Sequence, residues 1–119
     1  MTENASPNTT TDQMRICLDA LEDKKADELV VLNVASKSSI TNYIIVASGM
    51  SEPHLRALRI AVEMACKENG IHVIGAEKEA SSGWIVVDAF DFMVHLLTDE
   101  KRDFYGIETL WKDAERVEI

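Results

Sequence analysis

Within residues 81–97, Ser-Ser-Gly-Trp-Ile-Val-Val-Asp-Ala-Phe-Asp-Phe-Met-Val-His-Leu-Leu, four side chains are not explained by packing alone: Trp84, Asp88, Asp91 and His95. Carboxylates and an imidazole can ligate metals, and a large aromatic can anchor a protein partner. Zinc is poorly served, because His54, His72 and His95 fall in separate predicted elements and the two cysteines lack paired spacing. An aromatic beside carboxylates suits a protein-binding patch better than a reaction centre, since aromatics supply much of interface energy. Cys17 and Cys66 sit among apolar residues of two predicted helices. They read as buried small hydrophobes in a reducing compartment, with a disulfide or a reactive thiol as the alternative.

The elements that must position these groups follow from periodicity. Met14, Cys17, Leu18 and Leu21 have helical spacing, which predicts a helix over 12–24 capped by Thr11 or Asp12. Residues 28–34 and 42–47 are rich in β-branched side chains and read as strands with an antiparallel return between them. Ser51, Glu52 and Pro53 open a second helix, whose buried stripe is Leu55, Leu58, Val62 and Ala65 and whose stop is Gly70. Residues 71–76 read as a third strand that a right-handed parallel crossover would reach. Strands at 84–87 and 92–97 flank the Asp88–Asp91 turn, Thr98 caps a short helix ending near Gly106, and 107–111 form an apolar appendage. The expected fold is a single α+β domain over 12–111, in the order α-β-β-α-β-β-β-α, with one mixed sheet of about five strands flanked by helices. A flexible polar tail over 1–11 and a charged tail over 112–119 complete the chain.

A chain of 119 residues, 46% hydrophobic and 28% charged, has an ordinary single-domain composition. No apolar run approaches the roughly 20 residues of a membrane helix, and the N-terminus lacks signal or transit character, so a cytoplasmic protein is expected. The net charge of −9 is uneven: residues 76–119 hold eleven acids against five bases. That field repels phosphates, which disfavours direct nucleic-acid readout, and it attracts a basic protein.

Lys37-Ser-Ser-Ile-Thr-Asn-Tyr43, Ala47-Ser-Gly-Met-Ser51 and His54 resemble a first signature of the iojap, or ribosomal silencing factor, family. Gly75 and Glu77, then Trp84-Ile-Val-Val-Asp88, Asp91, Val94-His95 and Phe104-Tyr105 through Leu110-Trp111, resemble a second. The likeness runs from about residue 12 to 111 with the motifs in order. One departure stands out: the family usually has glycine inside the turn, as Asp-Leu-Gly-Asp, where this chain has Asp88-Ala-Phe-Asp91. The resemblance implies a bacterial cytoplasmic factor that binds the large ribosomal subunit through its L-fourteen protein. It thereby blocks joining with the small subunit and represses translation under nutrient limitation. No cofactor, metal or catalytic residue is implied.

The resemblance also implies a nucleotidyltransferase-like fold, so an enzyme is the rival reading, with Gly49-Met-Ser51 as a phosphate-cradling helix start. Such enzymes need two carboxylates on one strand face to hold magnesium. The strand after the second helix reads Ile-His-Val-Ile-Gly-Ala and offers none, and Asp88 and Asp91 are separated by a turn. A generic dimeric scaffold is the other alternative, and either a monomer or a homodimer fits the composition. Each candidate contact also has a structural reading. Trp84 suits an interface or the core, Asp88 and Asp91 a turn or a basic partner, and His95 a hydrogen-bonded core position. Phe90, standing where the family usually has glycine, either alters the turn or adds an exposed anchor. Tyr105, Leu110 and Trp111 fold back or stay exposed, and Lys37, Ser38 and Ser39 connect strands or belong to the partner surface.

Overall fold

The computed structural model describes residues 9–36, 41–76, 83–111 and 113–118, with the backbone alone for Ile107 and Leu110. The elements are α1 (Thr10–Asp23), β1 (Asp27–Asn33), β2 (Tyr43–Gly49), α2 (Glu52–Glu68), β3 (Gly75–Ala76), β4 (Trp84–Asp88), β5 (Phe92–Thr98), α3 (Asp99–Tyr105), α4 (Ile107–Leu110) and β6 (Glu115–Arg116). They form one mixed sheet in the order β3-β4-β5-β2-β1-β6, which confirms the expected α+β class.

β2 lies centrally, pairing antiparallel with β1 and parallel with β5 over seven residues. All of β2 beyond Tyr43 is buried, as an apolar run covered on both faces must be. α1 and α2 cover one face. The α1 stripe Met14, Cys17 and Leu21 meets the α2 stripe Leu55, Leu58, Val62 and Cys66 over the inward side chains of β2, β4 and β5. A smaller cluster of Leu32, Val34, Ile44, Val46 and Leu97, joined by Trp84 and Trp111, packs on the other face.

Local chemistry sets the boundaries. Thr9, not Thr11 or Asp12, caps α1 by accepting the Asp12 amide at 3.0 Å. Ser51 caps α2 as expected, with Pro53 in its first turn, and Cys66 rather than Ala65 completes its fully buried stripe. The third strand shrinks to Gly75–Ala76 because the Ile71 amide is spent on the Cys66 carbonyl at the end of α2. The parallel partner of β2 is accordingly β5, and β3 pairs antiparallel with β4. The apolar stretch after Gly106 begins with helix α4. Residues 112–119, expected as a tail, supply β6, which pairs with Leu32 and Asn33 while the Val117 amide reaches the Val31 carbonyl. The sheet therefore has six strands rather than five.

Candidate functional site

On the β4–β5 pair, alternation sends Ile85, Val87, Phe92, Val94 and Leu96 toward α2, all buried. Trp84, Val86, Asp88, Met93 and His95 point to the opposite face and are half-buried. That half-open face is where the candidate groups gather, and α3 flanks it.

Two backbone devices place α3. Gly83, at φ +76°, accepts the Thr98 amide with its carbonyl, and a Cβ there would lie 2.6 Å from Cγ of Lys101. Thr98 then caps α3 by accepting the Lys101 amide. Gly106, in the left-handed region, closes the helix with its amide on the Arg102 carbonyl. Inside this corner Arg102, only 6% exposed, donates Nε to Glu108, and Nη1 to both the Glu28 carbonyl and the Ser48 hydroxyl. One guanidinium thus joins α3 to β1, β2 and α4. The Arg102 hydrogen bond, helped by the charges of Arg102 and Arg116, holds the Glu108 carboxyl below its usual range.

The result is an aromatic ladder. Phe104 and Tyr105 meet edge-on at 5.2 Å between centroids, Tyr105 lies 4.6 Å from Trp84, and Trp84 lies 5.8 Å from His95. Lys101 Nζ sits 5.6 Å from the Phe104 ring centre. Phe104 is 76% exposed and Tyr105 42%, so the ladder climbs from solvent into the sheet. The indole N–H of Trp84 donates to His95 Nδ1 at 3.0 Å. An indole cannot accept, so the imidazole proton resides on Nε2. Burial pushes the His95 pKa down to about 4, which keeps the ring neutral near neutral pH. Asp99, Glu100 and Asp103 are exposed on the same short helix. Exposed aromatics edged by carboxylates fit an apolar and basic protein surface.

The other candidates distribute differently. Asp88 Oδ1 accepts the Phe90 amide at 2.9 Å, the side-chain turn that aspartate favours, and the Asp91 carbonyl accepts the Asn42 and Tyr43 amides. Phe90 is 65% exposed at φ +72°. It borders, with Ile71 and Ile74, a groove of about 490 Å³. Four strand steps separate this turn from Trp84, roughly 13 Å, so the aspartates and Phe90 stand at the far end of the hairpin from the ladder. Trp111 is half-buried against Leu32, Val34, Ile44, Val46 and Leu97. Leu110 closes α4 in the backbone, and Lys37, Ser38 and Ser39 lie outside the described residues.

At Gly49–Ser51, the rival phosphate cradle, the Met50 amide is held by His54 Nδ1 and the His54 amide by Ser51 Oγ. His54 Nε2 in turn donates to the Lys24 carbonyl, tying α2 to the end of α1. Among the described residues no three His, Cys, Asp or Glu side chains are grouped to hold a metal ion, and no helix is long and apolar enough to cross a membrane.

Sequence reasoning left Phe104 out of the candidate contacts, although it is the most exposed aromatic of the ladder. Its signal was an aromatic placed between Asp103 and Tyr105 in a helix too short to bury both. Arg102 carried no signal, because its partners are 6, 54 and 74 residues away in sequence.

Comparison with known proteins bears on the chain as a whole. The family described as ribosomal silencing factor during starvation matches residues 7–119. The ribosomal silencing factor of Chromobacterium violaceum is 36% identical over 97 residues, 82% of this chain and 80% of that one. A crystal structure of a protein from the same organism superposes with a TM-score of 0.84 at 33% identity, covering 88% of each chain. A more distant mouse relative, named mitochondrial assembly of ribosomal large subunit protein 1, is 26% identical over 96 residues, 76% of this chain and 41% of that protein.

Proposed function

The chain belongs to the ribosomal silencing factor family, and from that premise we propose that it binds the large ribosomal subunit through the L-fourteen protein. In this reading the bound domain obstructs the surface that meets the small subunit and represses translation in the cytoplasm under nutrient limitation. The observation that carries it is the solvent-facing ladder Phe104–Tyr105–Trp84, set among exposed acids on a chain of net charge −9. Aromatic anchors provide contact area at low entropic cost. The acidic field speeds approach to a basic ribosomal protein and opposes adhesion to rRNA phosphates. The name of the mouse relative, which refers to the large subunit, supports the same choice of subunit. Steric obstruction needs no bond-making group, and the ladder contains no nucleophile paired with a base.

The test is sedimentation of the purified protein with free large and small subunits at magnesium levels that permit joining. Co-migration with the large subunit and loss of joined ribosomes are expected. Protein left at the top of the gradient, with joining unimpeded, would refute the proposal.

A further inference from the structure

The Sγ atoms of Cys17 and Cys66 face each other at 3.7 Å across the α1–α2 contact. Both thiols are free and fully buried, each within the inward stripe of its helix. They lie 49 residues apart in sequence, so a bond between them would close a long loop. The aromatic ladder does not involve this pair, which belongs to the core cluster on the helical side of the sheet.

We propose that Cys17 and Cys66 are a redox modification site, converted by a low-molecular-weight disulfide into an intramolecular disulfide that staples α1 to α2. The sulfurs must close from 3.7 Å to roughly 2 Å, a change within reach of side-chain rotation in two facing helices. Access requires α1 to lift from α2. α1 is the first described helix, packed on the core through Met14, Cys17 and Leu21, with Ile16 and Leu18 beside them, and tied by the His54–Lys24 hydrogen bond; opening of one such helix is a local event.

The chemistry divides between the two thiols. The hydrogen bond with Cys17 lowers the Cys66 pKa, whereas the same bond and burial raise that of Cys17. Lifting α1 breaks that bond and exposes both sulfurs, so either thiol can attack as the thiolate at mildly alkaline pH, for instance Cys66. It displaces one half of the small disulfide, and the expelled thiolate takes up the proton that Cys66 lost. When α1 redocks, the Cys17 sulfur attacks the Cys66 sulfur of the mixed disulfide and gives its proton to the second expelled thiolate. Two protein thiols are oxidised to one disulfide, and one small disulfide is reduced to two thiols.

The experiment incubates the full chain with bis(2-hydroxyethyl) disulfide at mildly alkaline pH, then alkylates it in denaturant and measures intact mass. The expected product has lost two hydrogens and takes up no alkyl group. It melts higher by on the order of 10 °C, as expected for a long closed loop, and dithiothreitol reverses both changes. Cys66→Ala, or Cys17→Ala if the first does not fold, must show neither change. A chain that keeps two alkylatable thiols, ends as a mixed disulfide with the reagent, or links to a second chain overturns the proposal. The wild-type comparison stands without either variant, and none of it depends on ribosome binding.

Discussion

Trp84 donates its indole N–H to His95 Nδ1 at 3.0 Å across the β4–β5 pair. The two residues are diagonal neighbours on one face, since Trp84 pairs with Leu97 and Val86 with His95. The bond requires an unprotonated Nδ1, so a histidine at the edge of the proposed contact surface is locked in its neutral form.

Stability therefore depends on pH with a definite sign. The folded His95 pKa is about 4 against an ordinary 6.5. Between those values the unfolded chain binds a proton that the folded one refuses, so stability falls as pH drops from about 6.5 toward 4, and above 6.5 the effect vanishes. From neutral pH to about pH 5 the loss is about 2 kcal/mol. His95→Gln keeps an acceptor for the indole and removes the titration. Urea unfolding of both proteins at the two pH values should show this excess acid sensitivity in wild type alone; parallel losses would contradict the assignment.

The ladder separates binding from folding. Phe104→Ala removes a ring that is 76% exposed, so its stability cost should stay within about 0.5 kcal/mol. If the ring is a partner anchor, affinity for the free large subunit should fall by about 1 to 2 kcal/mol, and Tyr105→Ala by about 2 kcal/mol. Trp84→Ala should weaken both binding and folding, because its indole is half-buried and bonded to His95. Wild-type affinity in Phe104→Ala and Tyr105→Ala, measured by co-sedimentation titration, would remove α3 from the contact surface.

Arg102 should behave as the keystone of the same corner. Arg102→Met leaves the Ser48 hydroxyl, the Glu28 carbonyl and Glu108 without their shared partner. Leaving the buried hydroxyl and carbonyl unsatisfied costs about 2 to 3 kcal/mol, the carboxylate adding little because it is a third exposed and keeps Arg116 nearby. Arg102→Lys should recover little, since one ammonium cannot reproduce donors aimed in three directions. Denaturant midpoints of the two variants check this, and a lysine variant as stable as wild type would show that charge alone suffices.

Periodicity located α1, α2, β1, β2, β4 and β5 because each buries a regular stripe or an apolar run. It failed where a single backbone bond decides the outcome. The Ile71 amide is taken by the α2 terminus, which shortens β3, and β6 exists only because Glu115 and Arg116 find the free edge of β1. In the site, the proximity of Trp84 and His95 follows from strand register around a short turn. Tyr105 arrives on Trp84 through the Gly83 turn and the Arg102 corner, neither of which has a local signature. Asp88 was legible as a turn residue, and its carboxylate does hold the Phe90 amide.

Phe90 offers a gain-of-stability test. Its φ of +72° lies in the left-handed region, which disfavours a side chain as bulky as phenylalanine. The conformation is enforced by the Asp88 carboxylate on its amide and the Thr41 hydroxyl on its carbonyl. Little packing is lost on truncation, because the ring is 65% exposed. Phe90→Gly should therefore stabilise the fold by about 0.5 to 1 kcal/mol, the strain relieved less the added freedom of the unfolded chain, whereas Phe90→Ala should not. Thermal melts of the three proteins decide it: a glycine variant that melts below wild type would mean that the ring contributes more through Ile71 and Ile74 than its backbone conformation costs. Large-subunit affinity measured on the same variant then separates a strained turn from an anchor. An unchanged affinity would remove the Phe90 ring from the contact surface, leaving the ladder at the Trp84 end of the hairpin, roughly 13 Å away, as the aromatic anchor.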